Sequence, residues 1–307
     1  MKSIYGLIGF PVKHSLSAFM HNAAFKNLGF NAEYKLFEVE PENLEKFLLE
    51  DVDAKDINGE PFRVRDIVGF NVTIPHKVAA KEILEKAFPK KNEKDNLIQI
   101  NEHYVKISGA VNTVKREANT LNYWNTDASG FLRSLKEDLG FELNGKNVLI
   151  ICCGGAGRAI VAALSWKNIG LGKIFIYDIS EKAIQTAREY FSKFDYVNSK
   201  INFIGEKELS EAIKKCQLLV NASGLGMKDD DASPIDKELL HSGLSVYDII
   251  YNHQTQLLKD ASDLDLRNKN GLGMLLYQGV EALELWLGQE APVEIMRQAL
   301  LIAAKNK

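Results

Sequence analysis

The sequence predicts an α/β protein with two domains: an N-terminal α/β domain and a second domain built on βαβ units. Short apolar runs typical of strands alternate with longer amphipathic segments typical of helices along most of the 307 residues. This length and a hydrophobic content of 46% allow two domains, each with its own core. Because strands and helices alternate, the sheets are expected to be parallel.

The predicted elements of the N-terminal part follow one another closely. Apolar residues at helical spacing predict a helix over residues 17–28, ended by Gly29. Two polar stretches, residues 51–65 and 90–103, interrupt the pattern, and we interpret them as surface insertions without a functional role. Strands are predicted at residues 4–8, 32–39 and 67–71, followed by a helix from about residue 75.

The second part of the chain begins with an amphipathic helix after Asp127. The run Asn-Val-Leu-Ile-Ile at residues 147–151 predicts a strand buried on both faces. A glycine-rich turn and a helix follow, and a second strand at residues 173–178 completes one βαβ unit. Further strands are predicted at residues 201–204, 218–221 and 245–249, and helices at 272–287 and 293–304.

Composition narrows the possible partners. The formal net charge is -3 with scattered basic residues, which gives no electrostatic reason to expect nucleic acid or an anionic membrane. We find neither the zones of a signal peptide nor an apolar run of the ~20 residues that span a bilayer. Cys152, Cys153 and Cys216 have no disulfide or zinc spacing. The sequence therefore predicts a cytoplasmic protein without a metal, and it leaves the oligomeric state open.

A glycine-rich turn lies between the first strand and helix of the βαβ unit. Residues 152–157, Cys-Cys-Gly-Gly-Ala-Gly, match the pattern G-x-G-x-x-G except at Cys152, which implies that the first position needs no positive φ or is mildly strained. Such a turn lets backbone N–H groups approach a pyrophosphate at a helix N-terminus. The residues expected to bind the dinucleotide are Gly154, Gly155, Ala156 and Gly157.

The choice between NAD and NADP depends on the end of the next strand. Asp178 stands about 20 residues beyond the glycines, where a carboxylate can bind a ribose hydroxyl and repel a 2′-phosphate. Ile179 and Ser180 supply no arginine for such a phosphate. We therefore expect NAD to be favoured over NADP.

A second loop of small residues, at positions 221–227, follows another predicted strand. It would let the nicotinamide side of a cofactor lie close to the backbone, although an ordinary turn explains the loop equally well when it is considered alone. Its candidate cofactor-binding residues are Asn221, Ser223, Gly224 and Met227.

Candidate catalytic groups occur at the end of the strand at residues 67–71. Asn71, Thr73 and Lys77 carry hydrogen-bond donors at a strand end, where α/β folds gather ligands. Lys77 alone would be an ordinary surface lysine, and Asp127 alone would be a helix N-cap. His76 is an alternative to Lys77 as the acid or base, because the intrinsic pKa of a histidine side chain lies closer to neutral pH than that of a lysine.

Several ordered motifs resemble those of the shikimate dehydrogenase family. The segment Asn-Val-Thr-Ile-Pro-His-Lys at residues 71–77 resembles the family signature N-V-T-x-P-x-K. Four further matches span most of the chain, and a set of motifs in this order is far more specific than one glycine loop. They are Gly-Phe-Pro-Val-Lys-His-Ser-Leu-Ser at residues 9–17, Gly-Ala-Val-Asn-Thr at 109–113, Asn-Thr-Asp at 125–127, and Gly-Leu-Gly-Met-Leu at 271–275 with Gln278.

The resemblance implies a role for each matching residue. Lys77 and Asp127 would form a catalytic pair that exchanges a proton while hydride reduces 3-dehydroshikimate to shikimate, or the reverse. Ser15 and Ser17 would bind the substrate carboxylate. The residues placed near the ring hydroxyls are Asn71, Thr73, Asn112, Gln278 and, because its motif lacks the usual proline, less firmly Tyr251.

The resemblance also implies the domain organisation. A substrate domain would comprise residues 1–127 and 260–307, and a Rossmann-type dinucleotide domain residues 128–259, with substrate and cofactor meeting in a cleft between them. An NAD-dependent quinate/shikimate or aminoshikimate dehydrogenase is an alternative with the same catalytic pair. A non-catalytic ligand sensor on this scaffold is a second alternative, but it should have lost Lys77 or Asp127, and both are present.

Overall fold

The computed structural model of the chain describes residues 2–89 and 96–306. The chain divides into two compact units: the first unit comprises Met1–Gly130 and Leu275–Lys307, and the second unit comprises Phe131–Met274.

The first unit is built on a mixed sheet. Strands β1, β2 and β5 run parallel, while β6 and β7 are antiparallel to their neighbours, in the order β2-β1-β5-β6-β7. The strands are β1 (Ser3–Gly9), β2 (Ala32–Glu38), β3 (Asp53–Lys55), β4 (Pro61–Arg63), β5 (Ile67–Val72), β6 (Thr113–Glu117) and β7 (Thr120–Trp124). The helices that begin in this part of the chain are α1 (Ser17–Asn27), α2 (Leu44–Leu49), α3 (Lys77–Ala87), α4 (Asn96–Ser108) and α5 (Thr126–Glu137).

The expectation of parallel strands throughout is wrong for β6 and β7. These strands form a hairpin whose tight connection passes through Ala118 at a φ of 47°. A hairpin needs no crossover helix, so the alternation of strands and helices breaks here. Both strands carry many polar residues, and the sequence pattern did not reveal them.

The polar stretch at residues 51–65 is structured. It contains the antiparallel pair β3–β4, and the Asp56 carboxylate accepts the N–H groups of Asn58 and Glu60, each at 2.9 Å. Lys35 of β2 pairs with Asp56 at 3.4 Å and also contacts Glu60. In the other polar stretch, residues 90–95 lie outside the described part, and residues 96–103 belong to α4.

The second unit contains a six-stranded parallel sheet in the order β10-β9-β8-β11-β12-β13. Counted from β8, this is the order 3-2-1-4-5-6 of dinucleotide-binding folds, so the predicted α/β class with a Rossmann-like sheet is confirmed. The strands are β8 (Val148–Ile151), β9 (Ile174–Tyr177), β10 (Ile201–Ile204), β11 (Leu218–Asn221), β12 (Ser245–Asp248) and β13 (Asn268–Asn270). The helices are α6 (Gly155–Ser165), α7 (Glu181–Phe191), α8 (Asp195–Asn198), α9 (Glu206–Ile213) and α10 (Gln256–Asp263).

The compact units differ from the expected domains at both boundaries. Residues 128–130, assigned from the sequence to the dinucleotide domain, lie in the first unit. Residues 260–274, assigned from the sequence to the substrate domain, lie in the second unit. The reason is that β13 pairs with β12, with Val246 opposite Asn268, and so completes the parallel sheet. The chain then continues through α11 (Leu272–Leu287) and α12 (Val293–Lys305), which mostly belong to the first unit.

The returning helices complete the first unit. Trp286 of α11 is buried and donates its indole N–H to the Val114 carbonyl oxygen of β6 at 2.9 Å. Its ring also lies 5.3 Å from the fully buried His21 of α1. Among the described helices, none is long and apolar enough to cross a membrane.

Candidate active site

Lys77 and Asp127 meet in the first unit although they are 50 positions apart in sequence. Lys77 is the first residue of α3, and Asp127 lies in the first turn of α5. The Lys77 Nζ lies 2.6 Å from the Asp127 Oδ2. Their side chains remain 29% and 14% exposed, so the pair is accessible to a small molecule.

Asn112 fixes the other side of the Asp127 carboxylate. Its Nδ2 donates to the Asp127 Oδ1 at 2.9 Å and to the Thr126 Oγ1 at 3.1 Å, while its Oδ1 accepts the Thr126 backbone N–H at 2.8 Å. Each carboxylate oxygen of Asp127 therefore has one donor. The arrangement restricts the rotation of the carboxylate and leaves the lysine as the group that can exchange a proton.

His76 does not share this position. Its ring is buried, and its Nε2 lies 2.6 Å from the Val39 carbonyl oxygen. A nitrogen that donates to this carbonyl is engaged in a structural hydrogen bond. The competing assignment of His76 as the acid or base loses its support.

The two serines expected at the substrate carboxylate lie at the start of α1. Ser15 is half-buried, and its Oγ accepts the backbone N–H of Ser17 at 3.2 Å. Ser17 is buried and hydrogen-bonds with Tyr34. Thr73 is half-buried just beyond β5, where its backbone N–H donates to the Ile8 carbonyl oxygen at 2.9 Å.

Asn71, Gln278 and Tyr251 have different surroundings. Asn71 is buried, and its amide forms hydrogen bonds to three other residues of the protein. Gln278 is buried in α11 and donates to the Leu275 carbonyl oxygen at 2.9 Å, which leaves its other N–H and its oxygen for a ligand. Tyr251 belongs to the second unit, where burial raises its pKa.

The glycine turn at residues 154–157 fits a dinucleotide. A Cβ on Gly157 would lie 2.5 Å from the Cys152 carbonyl oxygen, so α6 can begin this close to β8 only with glycine there. A Cβ on Gly155 would meet nothing within 4 Å, which shows that the outer face of the turn is open. Ala156 follows in the first turn of α6, whose backbone N–H groups can receive a pyrophosphate.

Cys152 adopts the backbone conformation of the glycine that it replaces. Its φ is +69°, so of the two alternatives derived from the sequence, the absence of a positive φ is wrong and the strained conformation is the one found. The left-handed conformation costs a residue with a Cβ on the order of 1 kcal/mol. Burial raises the pKa of the Cys152 thiol, and the nearby Asp178 carboxylate acts in the same direction.

The second loop uses its polar side chains to hold its own shape. The Asn221 amide donates to the Leu225 carbonyl and the Asp248 carboxylate, each at 3.1 Å, and accepts the Ser223 hydroxyl at 2.6 Å. Gly224 and Met227 are exposed, and Met227 retains 60% of its accessible surface. This loop therefore offers backbone groups and an apolar side chain to a ligand.

A cavity beside the glycine turn contains cations that sequence inspection missed. Arg158 from α6 and Lys182 from α7 line the same cavity as Asp178, and the Arg158 guanidinium lies 4.7 Å from the centre of the Tyr190 ring. Neither cation pairs with a carboxylate of the described residues within 4 Å. Asp178 uses its Oδ1 to accept the Ser180 backbone N–H at 2.9 Å. The sequence did offer one signal for a cation at this cavity, because Arg158 directly follows Gly157, the last glycine of the turn.

The described residues contain no group of three or more histidine, cysteine or acidic side chains that could hold a metal ion.

A parallel sheet with a glycine turn, in a chain that also carries a lysine–carboxylate pair, defines an NAD(P)-dependent oxidoreductase acting on a CH–OH group, and comparison with known proteins agrees. Residues 7–114 match the family model of the shikimate dehydrogenase substrate binding domain, and residues 271–301 match that of the shikimate 5′-dehydrogenase C-terminal domain. The chain belongs to the shikimate dehydrogenase family, which confirms the resemblance seen in its motifs.

Individual relatives match over nearly the whole chain. The shikimate dehydrogenase (NADP(+)) of Methanopyrus kandleri is 38% identical over 303 residues, which cover 97% of this chain and 95% of that protein. A crystal structure of a shikimate dehydrogenase in complex with NADP+ has 35% identity and a TM-score of 0.78, covering 98% of this chain and 95% of the other. The Thermus thermophilus enzyme in complex with NADP(H) and shikimate has 31% identity and a TM-score of 0.77, covering 99% and 100%.

The expectation that NAD is favoured over NADP is wrong. The Methanopyrus kandleri relative is an NADP(+) enzyme, and the two similar crystal structures are complexes with NADP+ and with NADP(H). The residues directly after Asp178 are not basic, but Arg158 and Lys182 come from other positions to the same cavity. The cavity therefore holds two cations beside the Asp178 carboxylate, which itself has a local structural role at the start of α7.

Proposed function

We propose that the chain interconverts 3-dehydroshikimate and shikimate with NADP(H). The observation that carries this proposal is the 2.6 Å contact between the Lys77 ammonium and the Asp127 carboxylate, braced by Asn112. When bound, the nicotinamide cofactor supplies or accepts the hydride.

Lys77 would move the proton that accompanies the hydride. In the reductive direction, the ring carbonyl carbon gains the hydride and its oxygen takes a proton from the Lys77 Nζ, so that the carbonyl becomes an alcohol. Asp127 would hold the lysine in position and stabilise its charged form through the ion pair. Positioned proton transfer of this kind contributes roughly 10²–10⁴-fold to rate.

Polar side chains would anchor the substrate. We propose that Ser15 and Ser17 bind the carboxylate, because hydroxyl groups near the start of a helix suit an anion. Gln278 would bind a ring hydroxyl, with Thr73 nearby, while Asn112, whose two N–H groups are both used by protein groups, would brace Asp127. In support, Gln278 has hydrogen-bonding capacity beyond its one bond to Leu275.

A rate comparison with two substrates and two cofactors tests this function. Oxidation of shikimate by NADP should have the highest kcat/KM of the four combinations that pair shikimate or quinate with NADP or NAD. Preference for quinate would replace the proposed substrate. Absence of activity with every combination would contradict the proposed reaction altogether.

We further propose that Arg158 and Lys182 bind the adenosine 2′-phosphate of NADP. Both line the cavity beside the glycine turn, and hydrogen bonds between charged partners are the strong ones. The open outer face of Gly155 and the close approach at Gly157 provide space for the rest of the dinucleotide. Asn221, Ser223, Gly224 and Met227 would form the surface under its nicotinamide end, as the sequence predicted.

Removing either cation should weaken binding of the phosphate specifically. We expect Arg158→Gln and Lys182→Gln each to raise the dissociation constant of adenosine 2′,5′-bisphosphate about 10-fold, since a hydrogen bond to a charged group contributes about 1.5–3 kcal/mol. Titration calorimetry can measure this without turnover.

The affinity for 5′-AMP should be unaffected, because it lacks the 2′-phosphate. Lys207→Gln provides the matched control, since Lys207 is an exposed lysine of the same sheet domain and does not line the cavity. Equal loss of affinity for both nucleotides would contradict the assignment, and so would unchanged affinity for the bisphosphate.

A further inference from the structure

Tyr34 of β2 reaches a buried polar network that ends at the proposed catalytic pair. Its ring is stacked on His21 with centroids 4.4 Å apart and an interplanar angle of 8°, and only 2% of the residue is exposed. The hydroxyl donates to the Asn71 Oδ1 at 2.8 Å. Burial raises the pKa of Tyr34 well above its ordinary value, although a hydrogen bond with Ser17 opposes this, so the hydroxyl keeps its proton as a donor.

The Asn71 amide is occupied by protein groups. Its Nδ2 donates to the Asn112 carbonyl oxygen at 3.2 Å and to the Thr113 Oγ1 at 3.0 Å, while its Oδ1 accepts from Tyr34. An asparagine amide has two N–H donors, and both are used. With 4% of its surface exposed, Asn71 crosslinks β2, β5 and β6 inside the protein.

The hydrogen-bond network extends from Asn71 to Asp127. Asn112, whose carbonyl Asn71 holds, donates to Asp127 at 2.9 Å. Thr113, the other partner of Asn71, lies 3.0 Å from the Thr126 hydroxyl at the start of α5. Asn112, directly before β6, and Thr113, its first residue, thereby connect Asn71 to the first turn of α5, which carries the Asp127 carboxylate.

We infer that Tyr34 and Asn71 are positioning residues for the Lys77–Asp127 pair, and that Asn71 is not a substrate ligand. The inference rests on the proposed function, because it assigns the network to the same proton-transfer step. Without the Tyr34 donor, the buried Asn71 oxygen would be left without a hydrogen bond, and the amide would hold Asn112 and Thr113 less firmly. Small displacements of a catalytic group can cost up to roughly 10²-fold in rate.

Tyr34→Phe removes the hydroxyl that donates to the Asn71 Oδ1. We expect kcat for shikimate oxidation to fall about 10-fold, while KM and the dissociation constant of shikimate change less than about 2-fold. The pH dependence of kcat should change as well, because the Asp127 carboxylate holds Lys77 less firmly. A purely structural role would lower thermal stability without altering the pH profile.

Tyr5→Phe is the matched control. Tyr5 is a buried tyrosine of β1, the neighbour of β2, and its hydroxyl has no hydrogen bond to the residues that the structure describes. This variant should keep the wild-type kcat and pH profile. Thr113→Val removes the other side-chain partner of Asn71, so it should reproduce the loss of kcat even if Tyr34→Phe folds poorly.

The outcomes separate this inference from the proposed function. A wild-type protein without shikimate activity overturns both. Normal wild-type activity together with an unchanged kcat in Tyr34→Phe and Thr113→Val overturns the positioning role alone. A raised KM with unchanged kcat overturns it too, because it shows that Tyr34 supports substrate binding, through Ser17 or Asn71, and not the proton-transfer step.

Discussion

Replacing Lys77 with alanine should lower kcat by roughly 10²–10⁴-fold while shikimate binding largely survives. The alanine variant has no group that can exchange the proton of the reacting oxygen. The proposed anchors for the carboxylate and hydroxyls remain, so the dissociation constant should stay nearly constant. Steady-state kinetics and a shikimate titration of the variant measure the two quantities separately.

Lys81→Ala is the appropriate control for this variant. Lys81 lies one turn further along α3 and pairs with Glu85 at 2.7 Å, away from Asp127. Its loss should leave kcat unchanged, because a surface pair of this kind contributes little. An active Lys77→Ala variant would remove Lys77 from the mechanism.

Combining Lys77→Ala with Asp127→Asn tests whether the two residues act as a unit. If Asp127 works through Lys77, the double variant should be about as slow as Lys77→Ala alone. Multiplied losses would show instead that Asp127 acts on the substrate independently.

Replacing His21 with phenylalanine should make the protein markedly more resistant to acid. His21 is fully buried, and its ring nitrogens have no hydrogen-bond partner among the residues described. Burial lowers its pKa from the ordinary 6.5 to about 3. Below pH 6.5 the unfolded chain binds a proton that the folded protein cannot take up, so stability falls as the pH drops toward 3.

The expected difference is large. One pKa unit corresponds to about 1.4 kcal/mol, so the wild type should lose roughly 3 kcal/mol more than His21→Phe between about pH 7 and pH 4. Denaturant unfolding at several pH values measures this slope. The aromatic ring of phenylalanine preserves the stacking on Tyr34. Replacing the exposed His14 with glutamine should leave the slope unchanged, and parallel slopes for the wild type and His21→Phe would contradict the prediction.

Local motifs made much of the candidate site predictable. The segment at residues 71–77 places Lys77 at the start of a helix directly after a strand, and Asp127 lies in the first turn of the helix after β7. Both positions depend on short-range signals, namely strand ends and helix starts. The glycine at position 157 is likewise recognisable, because close packing of a helix on a strand admits no larger residue there.

Interactions between distant segments were harder to predict. The hairpin β6–β7 escaped detection because its strands are rich in polar residues, and β13 was missed because it has three residues, all polar. The cofactor expectation failed for a related reason. It considered only Ile179 and Ser180 directly after Asp178, whereas Lys182, four positions on, and Arg158 line the same cavity.

The sequence by itself determined the α/β class, the family and the identity of the proposed catalytic pair, since these depend on periodicity and on motifs of adjacent residues. Only the tertiary structure decided which hydrogen-bond partner each buried polar group of the site has. In the folded chain, His76 hydrogen-bonds to the Val39 carbonyl oxygen, Tyr34 donates to the Asn71 amide, and Asn112 donates to Asp127. The physical reason is that a buried polar group must find its partner wherever the fold provides one, and hydrogen bonds across strands leave no periodic pattern along the chain.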